Sequence, residues 1–289
     1  MNVRIAVMMA CFNRRETTLR CLRHLHTQRG LDGIALDVHL VDDASVDGTA
    51  DAVRAEFPSV RVLGGTGSLY WAGGMRLADA SAWSTRPDHL LWLNDDVVLS
   101  PDAIATLLAT AERTGDRGIV VGSLRSPDGS RLTYGGYRQP DPRRPLALER
   151  VEPDGTAQDI ATMNGNVVLV PAAVRDALGP PDLRFRHNMA DMDYGFRARA
   201  AGFRVVLCPS IVGWCERNAA KERWSDSSLP LAARLRTVTA FDGLPPHEWW
   251  TFTRRHCGRR WARYFIGPYV RALLGRAPRN TGMHASSRA

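Results

Sequence analysis

The chain has 289 residues, of which 44% are hydrophobic and 24% are charged, and its formal net charge is +8. This composition excludes a disordered chain, and no stretch reaches the roughly 18 uncharged apolar residues of a membrane span. The positive charge alone leaves nucleic acid, an anionic membrane and an anionic substrate open as partners. The five cysteines are odd in number and lack metal-site spacing, which favours reduced thiols over disulfides or a zinc site. The start enters a strand pattern without signal-peptide features, so we expect a cytoplasmic protein.

The first hundred or so residues alternate strand and helix patterns, which predicts an α/β fold with a parallel sheet and crossover helices. Continuous apolar runs indicate strands that are buried on both faces. The predicted strands are residues 3–9, 36–41, 60–63 and 90–93. Helices between them are indicated by apolar residues at helical spacing in 19–25 and 50–57. A loop is predicted at 64–74, and Ser100 with Pro101 predicts a helix start with a capping hydroxyl.

Two pairs of adjacent carboxylates follow two of these buried strands. Asp42 and Asp43 end the second strand, and Asp95 and Asp96 follow the fourth. Ligands bind at the carboxyl ends of strands in open α/β sheets, and oxygen ligands there suit a divalent cation that accompanies phosphates. Capping of the following turn is the alternative role for each pair. The loop at 10–15 contains no glycine, so the layout predicts a nucleotide site without the dinucleotide fingerprint.

The middle of the chain carries fewer signals until a second acidic centre. We predict a strand at 118–124, a hairpin through 126–134, a loop at 139–145, a strand at 159–170 and a short helix opened by Pro171. Asp191 and Asp193 then stand at the start of a predicted helix. Both acids could simply stabilise the helix amino terminus, an effect worth about 0.3 to 1 kcal/mol.

Beyond residue 229 the character of the chain changes, because residues 249–274 interleave aromatic side chains with arginines. A helix of this composition suits an anionic membrane surface. Packing on the preceding domain, with the arginines solvated, is the equal alternative. Gly258 and the Gly267-Pro268 pair are expected to break the helix into pieces. Residues 277–289 look like a disordered end.

Five short motifs, taken in order, resemble those of the family 2 glycosyltransferases of the GT-A fold, particularly the bacterial rhamnosyltransferase-like members. They are residues 11–14, 41–49, 71–76, 93–96 and 191–197, within a resemblance that covers roughly 3–218. The resemblance implies a Rossmann-like α/β fold with a mixed, mainly parallel sheet. Together with the change of composition beyond residue 229, this gives an expected catalytic domain at 1–228, with a nucleotide-sugar half at about 1–100 and an acceptor half at about 101–228, and a helical C-terminal extension at 229–276.

The resemblance also implies an activity, namely metal-dependent inverting transfer of a sugar from a nucleotide-diphosphate donor. Rhamnose is one candidate sugar, and the acceptor would be a hydroxyl of a glycan, a lipid-linked sugar or a natural product. The donor-side residues that it implies are Ala10, Phe12, Arg14, Asp43 and Asp95. Among them Asp43 would read the nucleotide base and Asp95 would meet the ribose. Asp96 would coordinate the divalent metal, Mg²⁺ or Mn²⁺, that bridges the diphosphate.

Inverting transfer needs a carboxylate that takes the proton of the acceptor hydroxyl. By resemblance this base is Asp191, which stands ahead of a helix that carries an arginine, although Ala190 replaces the family's preceding glutamate. Asp193 is the second catalytic candidate, as a helix-start acid or an acceptor contact. The acceptor-side residues implied by position are Asn164, Gly165 and Arg197. A turn inside the sheet is the alternative for the first two.

Many relatives place a histidine where this sequence has Trp214 and Cys215. Cys215 or Glu216 could substitute, or the cation could rely on Asp96, the diphosphate and water. His187 is expected to be a loop histidine rather than a ligand. A sugar nucleotidyltransferase is the rival enzyme, but its glycine-rich amino-terminal loop is absent. A non-enzymatic membrane or nucleic-acid binding module would explain the basic tail but not the acidic turns. The sequence leaves the oligomeric state and the acceptor open.

Overall fold

The computed structural model of the chain describes residues 3–115, 117–217, 224 and 226–275. The strands are β1 (Val3–Cys11), β2 (Ile34–Asp42), β3 (Arg61–Gly64), β4 (His89–Leu93), β5 (Val98–Leu99), β6 (Gly118–Arg125), β7 (Leu132–Tyr134), β8 (Gly136–Arg138), β9 (Glu149–Arg150), β10 (Gln158–Asp159), β11 (Thr162–Met163), β12 (Val167–Pro171) and β13 (Arg204–Trp214). The α-helices are α1 (Arg15–His26), α2 (Thr49–Glu56), α3 (Tyr70–Trp83), α4 (Ala103–Arg113), α5 (Ala172–Leu178), α6 (Ala190–Ala200), α7 (Leu231–Thr239), α8 (Pro246–His256) and α9 (Trp261–Leu274). The end predicted to be disordered, 277–289, lies outside the described residues.

Ten strands of the described ranges form one mixed sheet, whose main path runs β10-β13-β6-β12-β4-β1-β2-β3. The half formed by β4, β1, β2 and β3 is parallel. In the other half, β12 runs antiparallel to both β4 and β6, and β13 is parallel to β6. A small sheet of β11, β8 and β9 completes the strands. The predicted α/β fold with a mixed sheet is confirmed, and the four predicted amino-terminal strands are all present.

The two faces of the sheet carry separate hydrophobic cores. Alternate residues of β1 point to opposite faces, so Val7 joins α1, α2 and α4, whereas Met8 joins α3, α5 and α6. All residues of β4 are buried, as its continuous apolar run predicts. The five cysteines are buried and unpaired, in agreement with the prediction of reduced thiols.

Two predicted boundaries near the sheet edge are wrong. The loop predicted to reach residue 74 ends earlier, since α3 begins at Tyr70 and includes two buried glycines. A Cβ at Gly74 would lie 2.7 Å from the Ala10 Cβ, so glycine is needed for α3 to approach β1. The hydroxyl of Ser100 does not cap α4, because the Gln28 side chain accepts the Ile104 N–H at 3.0 Å instead.

Two further predictions are corrected by packing. The strand expected over 159–170 is divided into β10, β11 and β12, with a turn around Gly165. The helix expected to break at Gly267-Pro268 continues through both residues, whereas Gly258, with φ +53°, does separate α8 from α9. Pro268 is buried, so tertiary packing of α9 offsets the roughly 3 kcal/mol that an internal proline costs.

The C-terminal helices form a third core with the main domain. Its buried side chains include Phe185 and Ala190 near α6 and Trp249 and Phe252 on α8. The inner face of these helices therefore packs on the preceding domain, which is the second of the two alternatives given above for residues 249–274. Four apolar side chains on α9 stay exposed: Ile266, Val270, Leu273 and Leu274. No helix within the described ranges combines the length and apolar character needed to cross a bilayer.

Candidate active site

The carboxyl ends of the parallel strands gather the predicted donor-side residues at one edge of the sheet. The turns after β1 and β2 are joined directly, since the Asp43 N–H donates to the Cys11 carbonyl at 3.0 Å. Asn13 reinforces this junction, because its N–H donates to the Ser45 hydroxyl and its side-chain oxygen accepts the Val46 N–H, both at 2.8 Å. Asn13 is thus a turn residue.

The acidic pair after β4 is bridged by an arginine from the turn after β1. Arg14 Nη1 lies 3.2 Å from Asp95 Oδ1 and 3.0 Å from Asp96 Oδ2. Asp95 is only 5% exposed. Burial and the neighbouring Asp96 charge together outweigh the attraction of Arg14 and raise the pKa of Asp95 to about 7. The turn therefore holds two crowded carboxylates that one guanidinium only partly neutralises.

Two carboxylate oxygen atoms of the same pair are available to bind a cation. Asp95 Oδ2 and Asp96 Oδ1 are buried and have no hydrogen-bond partner among the described residues. Buried carboxylate oxygens without donors are costly unless a cation meets them, so this turn fits a divalent metal. Within the described ranges no group of three His, Cys, Asp or Glu side chains surrounds a single point. The remaining ligands would have to come from the diphosphate and water.

The two substitutes considered for the missing histidine lie in different places. The Cys215 thiol is buried beside Asp96, and burial together with that negative charge raises the pKa of the thiol. Glu216 is exposed and pairs with Arg131 at 3.6 Å. Of the two side chains, Cys215 therefore lies beside the acidic pair, whereas Glu216 is engaged with Arg131.

Asp43 holds the glycine-rich loop between β3 and α3. Its carboxylate accepts the N–H groups of Gly67 at 2.7 Å, Leu69 at 2.8 Å and Tyr70 at 3.2 Å. A Cβ at Gly65 would lie 2.5 Å from the Asp43 Oδ1 atom, so the loop can come this close only with glycine there. The predicted base reader is thus also a loop anchor, a role that sequence reasoning missed.

The remaining donor-side candidates differ in exposure. Phe12 follows β1 with a ring that is 52% exposed, which leaves a face free for a flat ligand. Ala10 instead faces α3, as its contact with Gly74 requires, and contributes packing under the site.

Strained backbone is concentrated around this edge. Five non-glycine residues in the described ranges have a positive φ, a conformation that residues other than glycine rarely adopt. Asn13, Ala44 and Tyr70 follow β1, β2 and β3, and Met189 directly precedes α6. Only Arg86 lies elsewhere among those described. Such strain clusters at functional sites, which supports a site between the strand ends and the start of α6.

The second acidic centre lies across from the strand ends, at the start of α6. Asp191 is half-buried, and its carboxylate accepts the N–H groups of Gly165 at 2.9 Å and Met192 at 2.8 Å. Burial raises the pKa of Asp191, although these two N–H groups and the Asn164 side chain oppose the shift. Asp191, Asn164 and Gly165, all predicted on the acceptor side, are therefore brought together.

Trp71 joins the two acidic centres, and the sequence assigned it no role in the site. Its indole N–H donates to the Asn94 side chain at 2.8 Å, next to the acidic pair. A Cβ at Gly165 would lie 2.6 Å from the Trp71 ring and 3.2 Å from the Asp191 Cβ. The indole thus spans from the turn after β4 to the loop that holds Asp191. Its place within the Trp71–Arg76 motif was the only sequence signal.

A hydrogen-bonded chain behind Asn164 was also missed. The Tyr137 hydroxyl donates to Asn164 Oδ1 at 3.0 Å, and Arg150 Nη2 donates to that hydroxyl at 3.1 Å. Because Asn164 Oδ1 accepts the Tyr137 hydroxyl, it is the NH₂ group of Asn164 that donates to Asp191. Tyr137 and Arg150 come from short strands with no chemical motif, so no local signal points to them.

Asp193 has the opposite surroundings to Asp191. It is 0% exposed and pairs with Arg197 at 2.8 Å, Arg255 at 2.6 Å and His256 at 2.8 Å. Burial by itself raises the pKa of Asp193, but these partners outweigh it and the pKa is lowered. Asp193 and Arg197 therefore join α6 to α8 as a structural ion cluster, and the expected acceptor contact is not what this geometry provides.

The fold and the paired acidic turns define a GT-A glycosyltransferase. Residues 3–262 match the family described as "Glycosyltransferase like family 2", and the chain belongs to this family. It is 27% identical over 258 residues to "N-acetylglucosaminyl-diphospho-decaprenol L-rhamnosyltransferase" of Mycobacterium tuberculosis, strains CDC 1551 / Oshkosh and ATCC 25618 / H37Rv. The match covers 78% of this chain and 82% of that relative. The predicted glycosyltransferase class is confirmed.

Solved structures support the fold. The mannosyltransferase PcManGT from Pyrobaculum calidifontis, in complex with GDP-Man and Mn²⁺, is 17% identical with a TM-score of 0.56, over 94% of this chain and 72% of that one. TarS 1-349 from S. aureus, in complex with UDP, is 13% identical with a TM-score of 0.55, over 94% of this chain and 81% of that one. The GT-A architecture predicted by resemblance is confirmed.

Proposed function

We propose that this glycosyltransferase is a metal-dependent inverting enzyme that transfers a sugar, with rhamnose as the candidate, to a hydroxyl of a lipid-linked acceptor. The observation that carries the proposal is the pairing of two carboxylate centres on either side of Trp71, Asp95 and Asp96 on one side and Asp191 on the other. One centre can hold the donor while the other takes the acceptor proton. The similarity to a rhamnosyltransferase supports the choice of sugar.

On the donor side, each residue has a role suited to its surroundings. The exposed Phe12 ring stacks on the nucleotide base, and Asp43 reads the base edge with the lone pairs that the loop N–H groups leave unused. Asp95 meets the ribose. Arg14, which already contacts both acids of the pair, supplies positive charge to the diphosphate.

Asp96, with the free oxygen of Asp95, would hold the cation. When bound, a divalent metal neutralises the charge that develops on the departing diphosphate. Mn²⁺ accompanies GDP-Man in the PcManGT structure, which supports a divalent ion in the present enzyme. Arg14 would move from the acidic pair to the diphosphate oxygens if a cation took its place beside these carboxylates.

Asp191 would act as the general base. The acceptor oxygen forms a bond to the anomeric carbon as the bond from that carbon to the diphosphate breaks, and the hydroxyl proton passes to Asp191. A single displacement inverts the anomeric configuration. The N–H groups of Gly165 and Met192 fix the direction of the carboxylate. The raised pKa of Asp191 makes it a stronger base than an ordinary aspartate.

The acceptor class rests on the relative named for N-acetylglucosaminyl-diphospho-decaprenol and on α9. Exposed Ile266 and Val270 lie four residues apart on α9, and exposed Arg259, Arg260 and Arg263 precede them. An apolar stripe beside arginines is complementary to an anionic bilayer surface. We therefore include peripheral contact with the cytoplasmic membrane face in the proposal, with 1–228 as the catalytic domain and 229–276 as its extension.

The central experiment is a panel of nucleotide-diphosphate sugars, tested for binding, hydrolysis and transfer with and without Mg²⁺ or Mn²⁺. We expect one donor to be used, only with metal, and NMR of the product to show an inverted anomeric centre. Asp96→Ala should abolish metal-dependent donor binding, whereas Asp51→Asn, an exposed acid on α2, should not. A product of retained configuration, or unchanged metal-dependent binding by Asp96→Ala, would contradict the mechanism. Pyrophosphate release from a nucleoside triphosphate and a sugar phosphate would instead identify a nucleotidyltransferase.

A further inference from the structure

Three aromatic rings from three separate segments meet beside the start of α6. Tyr70 opens α3, His187 lies in the loop before α6, and Phe241 lies in the loop between α7 and α8. The Tyr70 and Phe241 rings are stacked with centroids 4.5 Å apart, and His187 lies 5.6 Å from Phe241 and 6.3 Å from Tyr70. We call these three residues the aromatic cluster. His187 is thus a loop histidine, as predicted, but one with aromatic neighbours.

The aromatic cluster borders the proposed base. Tyr70 directly precedes Trp71, whose ring approaches the Gly165 position that binds Asp191. The segments that carry Tyr70 and His187 are also joined by the main chain, because the Ala72 N–H donates to the Arg186 carbonyl at 3.1 Å. The cluster is therefore held next to the segments that carry Trp71 and Asp191.

Core packing does not account for the conformation of Tyr70. Its φ is +54°, a left-handed conformation that is an outlier for a bulky residue and costs of order 1 to 3 kcal/mol. The side chain is nevertheless 36% exposed, so burial returns only part of that cost. Asp43 contributes to holding the strained residue by accepting its N–H at 3.2 Å. The donor-side acid therefore presents an exposed ring on the acceptor side.

The third ring comes from the C-terminal extension, and its loop is fixed to the catalytic domain. The Asn188 side chain donates to the Gly243 carbonyl at 3.2 Å, two residues beyond Phe241. The Leu244 N–H donates back to the Val238 carbonyl at 2.8 Å, which closes the loop on itself. The loop that carries Phe241 is therefore fixed by one hydrogen bond to the catalytic domain and one within the extension.

We propose that the aromatic cluster is the subsite for the sugar ring of the acceptor, completed by Phe241 from the C-terminal extension. A base within hydrogen-bond reach of an acceptor hydroxyl, about 2.6 to 3.2 Å, brings the ring that bears this hydroxyl beside Asp191. The apolar C–H face of a pyranose packs on aromatic faces, which add contact area without adding charge. The ligand class is a hexose or N-acetylhexosamine glycoside. This inference rests on the proposed glycosyl transfer.

The kinetic test compares Tyr70→Ala and Phe241→Ala with wild type, using an N-acetylglucosaminyl diphosphate with a short alkyl chain as acceptor probe. Aromatic contacts of about 0.5 to 1.5 kcal/mol predict that each variant raises the acceptor KM about 2- to 12-fold. Trp250→Ala removes an exposed ring on the outside of α8 and should leave the acceptor KM unchanged. Phe12→Ala should show the reverse pattern, with weaker donor binding and an unchanged acceptor KM.

A binding measurement keeps the inference testable without turnover. In saturation-transfer NMR, wild type should saturate the ring C–H protons of the probe, and Phe241→Ala should lose most of that signal. An unchanged acceptor KM and NMR signal in both variants would overturn the inference while leaving the proposed transfer intact. Failure of wild type to use any donor in the panel, with NMR saturation of the probe ring, would instead count against the proposed function and support the subsite. No saturation by folded wild type would overturn the subsite.

Discussion

The donor edge and the acceptor side of this enzyme are built in different ways. The donor edge takes Phe12, Arg14, Asp43, Asp95 and Asp96 from turns that directly follow parallel strands. The acceptor side combines the start of α3, the turn at 164–166, the start of α6 and the extension. The donor edge is thus encoded by short local motifs, whereas the acceptor side depends on contacts between distant segments. Changes on the donor edge should therefore affect one ligand, whereas changes on the acceptor side should also affect folding.

The contrast is sharpest at two acids on the first turn of α6. Asp191 accepts two backbone N–H groups and a side-chain amide, and no salt bridge joins it to a cationic side chain among the described residues. Asp193 is enclosed by two arginines and a histidine. The first keeps the lone pairs and the raised pKa of a base, while the second has its charge fully committed to structure.

The largest expected effect is on turnover by Asp191→Asn. Loss of a general base typically costs about 10² to 10⁴ in rate, and donor affinity should stay at the wild-type value because the donor edge is untouched. The measurements are kcat with a competent donor and acceptor, and donor binding by calorimetry. Turnover near the wild-type rate would remove Asp191 from the mechanism.

The pH profile tests the same assignment independently. The base must be ionised, so kcat/KM falls as the pH drops through its pKa. Because burial raises the pKa of Asp191, the acidic limb of the wild-type profile should lie above the usual range of an aspartate. The residual activity of Asp191→Asn should lack this limb. An acidic limb that persists unchanged in the variant would belong to another group.

The next effect is on stability, and it separates the two acids. Asp193→Asn leaves Arg197, Arg255 and His256 around a neutral side chain, and breaking a buried ion pair in this way costs about 3 to 5 kcal/mol. The free energy of unfolding in urea should fall by that amount at pH 7. The same measurement on Asp191→Asn should show a far smaller loss.

Measuring the stability at low pH provides the control for Asp193. The folded pKa of Asp193 is lowered, so its stabilisation is fully present above the unfolded pKa and is lost as the pH falls through the folded value. The difference in the free energy of unfolding between wild type and Asp193→Asn should therefore become smaller at low pH. If that difference in the free energy of unfolding stays constant from pH 7 down to pH 3, the charge of Asp193 is not the source of the stabilisation.

Much of the donor edge could be predicted because its information is local. The buried run of β4 ends directly before Asp95 and Asp96, so burial and chemistry are adjacent in the sequence. Asp191 was assigned as the base through the resemblance to family 2 glycosyltransferases, from its spacing to Arg197. The partners of Asp193 on α8 could not be found in this way, since Arg255 lies 62 residues further along the chain. Phe241 and Tyr137 likewise have no motif around them and gain a role only through packing.

A smaller effect is expected when the loop anchor on the donor edge is altered. Asp43→Asn keeps one side-chain carbonyl oxygen but removes the charge that accepts three N–H groups. A charge-assisted hydrogen bond is worth about 1.5 kcal/mol or more, so nucleotide affinity should fall about tenfold, with poorer discrimination among bases. Calorimetry with the nucleoside diphosphates measures both. If affinity and base preference are unchanged, Asp43 only anchors the loop.

The smallest effect concerns the exposed stripe of α9, on the outside of the extension. Val270 is 41% exposed, and moving about 40 Å² of its apolar surface into a bilayer interface contributes about 1 kcal/mol at about 25 cal/mol per Å². Val270→Ser should therefore weaken binding to vesicles of anionic phospholipid about fivefold in co-sedimentation. Val46→Ser, on an exposed apolar residue of the donor edge, is the matched control and should bind like wild type.

Point substitution is the appropriate test because the extension cannot be removed cleanly. Deleting residues after Leu244 would take away Trp249 and Phe252 from the third core and Arg255 from Asp193, so lost vesicle binding would reflect unfolding. Raising the salt concentration should weaken vesicle binding of wild type and Val270→Ser alike, since the arginines act through charge and the stripe through apolar contact. If Val270→Ser binds vesicles as tightly as wild type but changes the sedimentation coefficient, the stripe is instead a contact between two copies of the chain. In that case the acceptor side would end at the aromatic cluster, and a water-soluble acceptor would fit the enzyme better than a lipid-linked one.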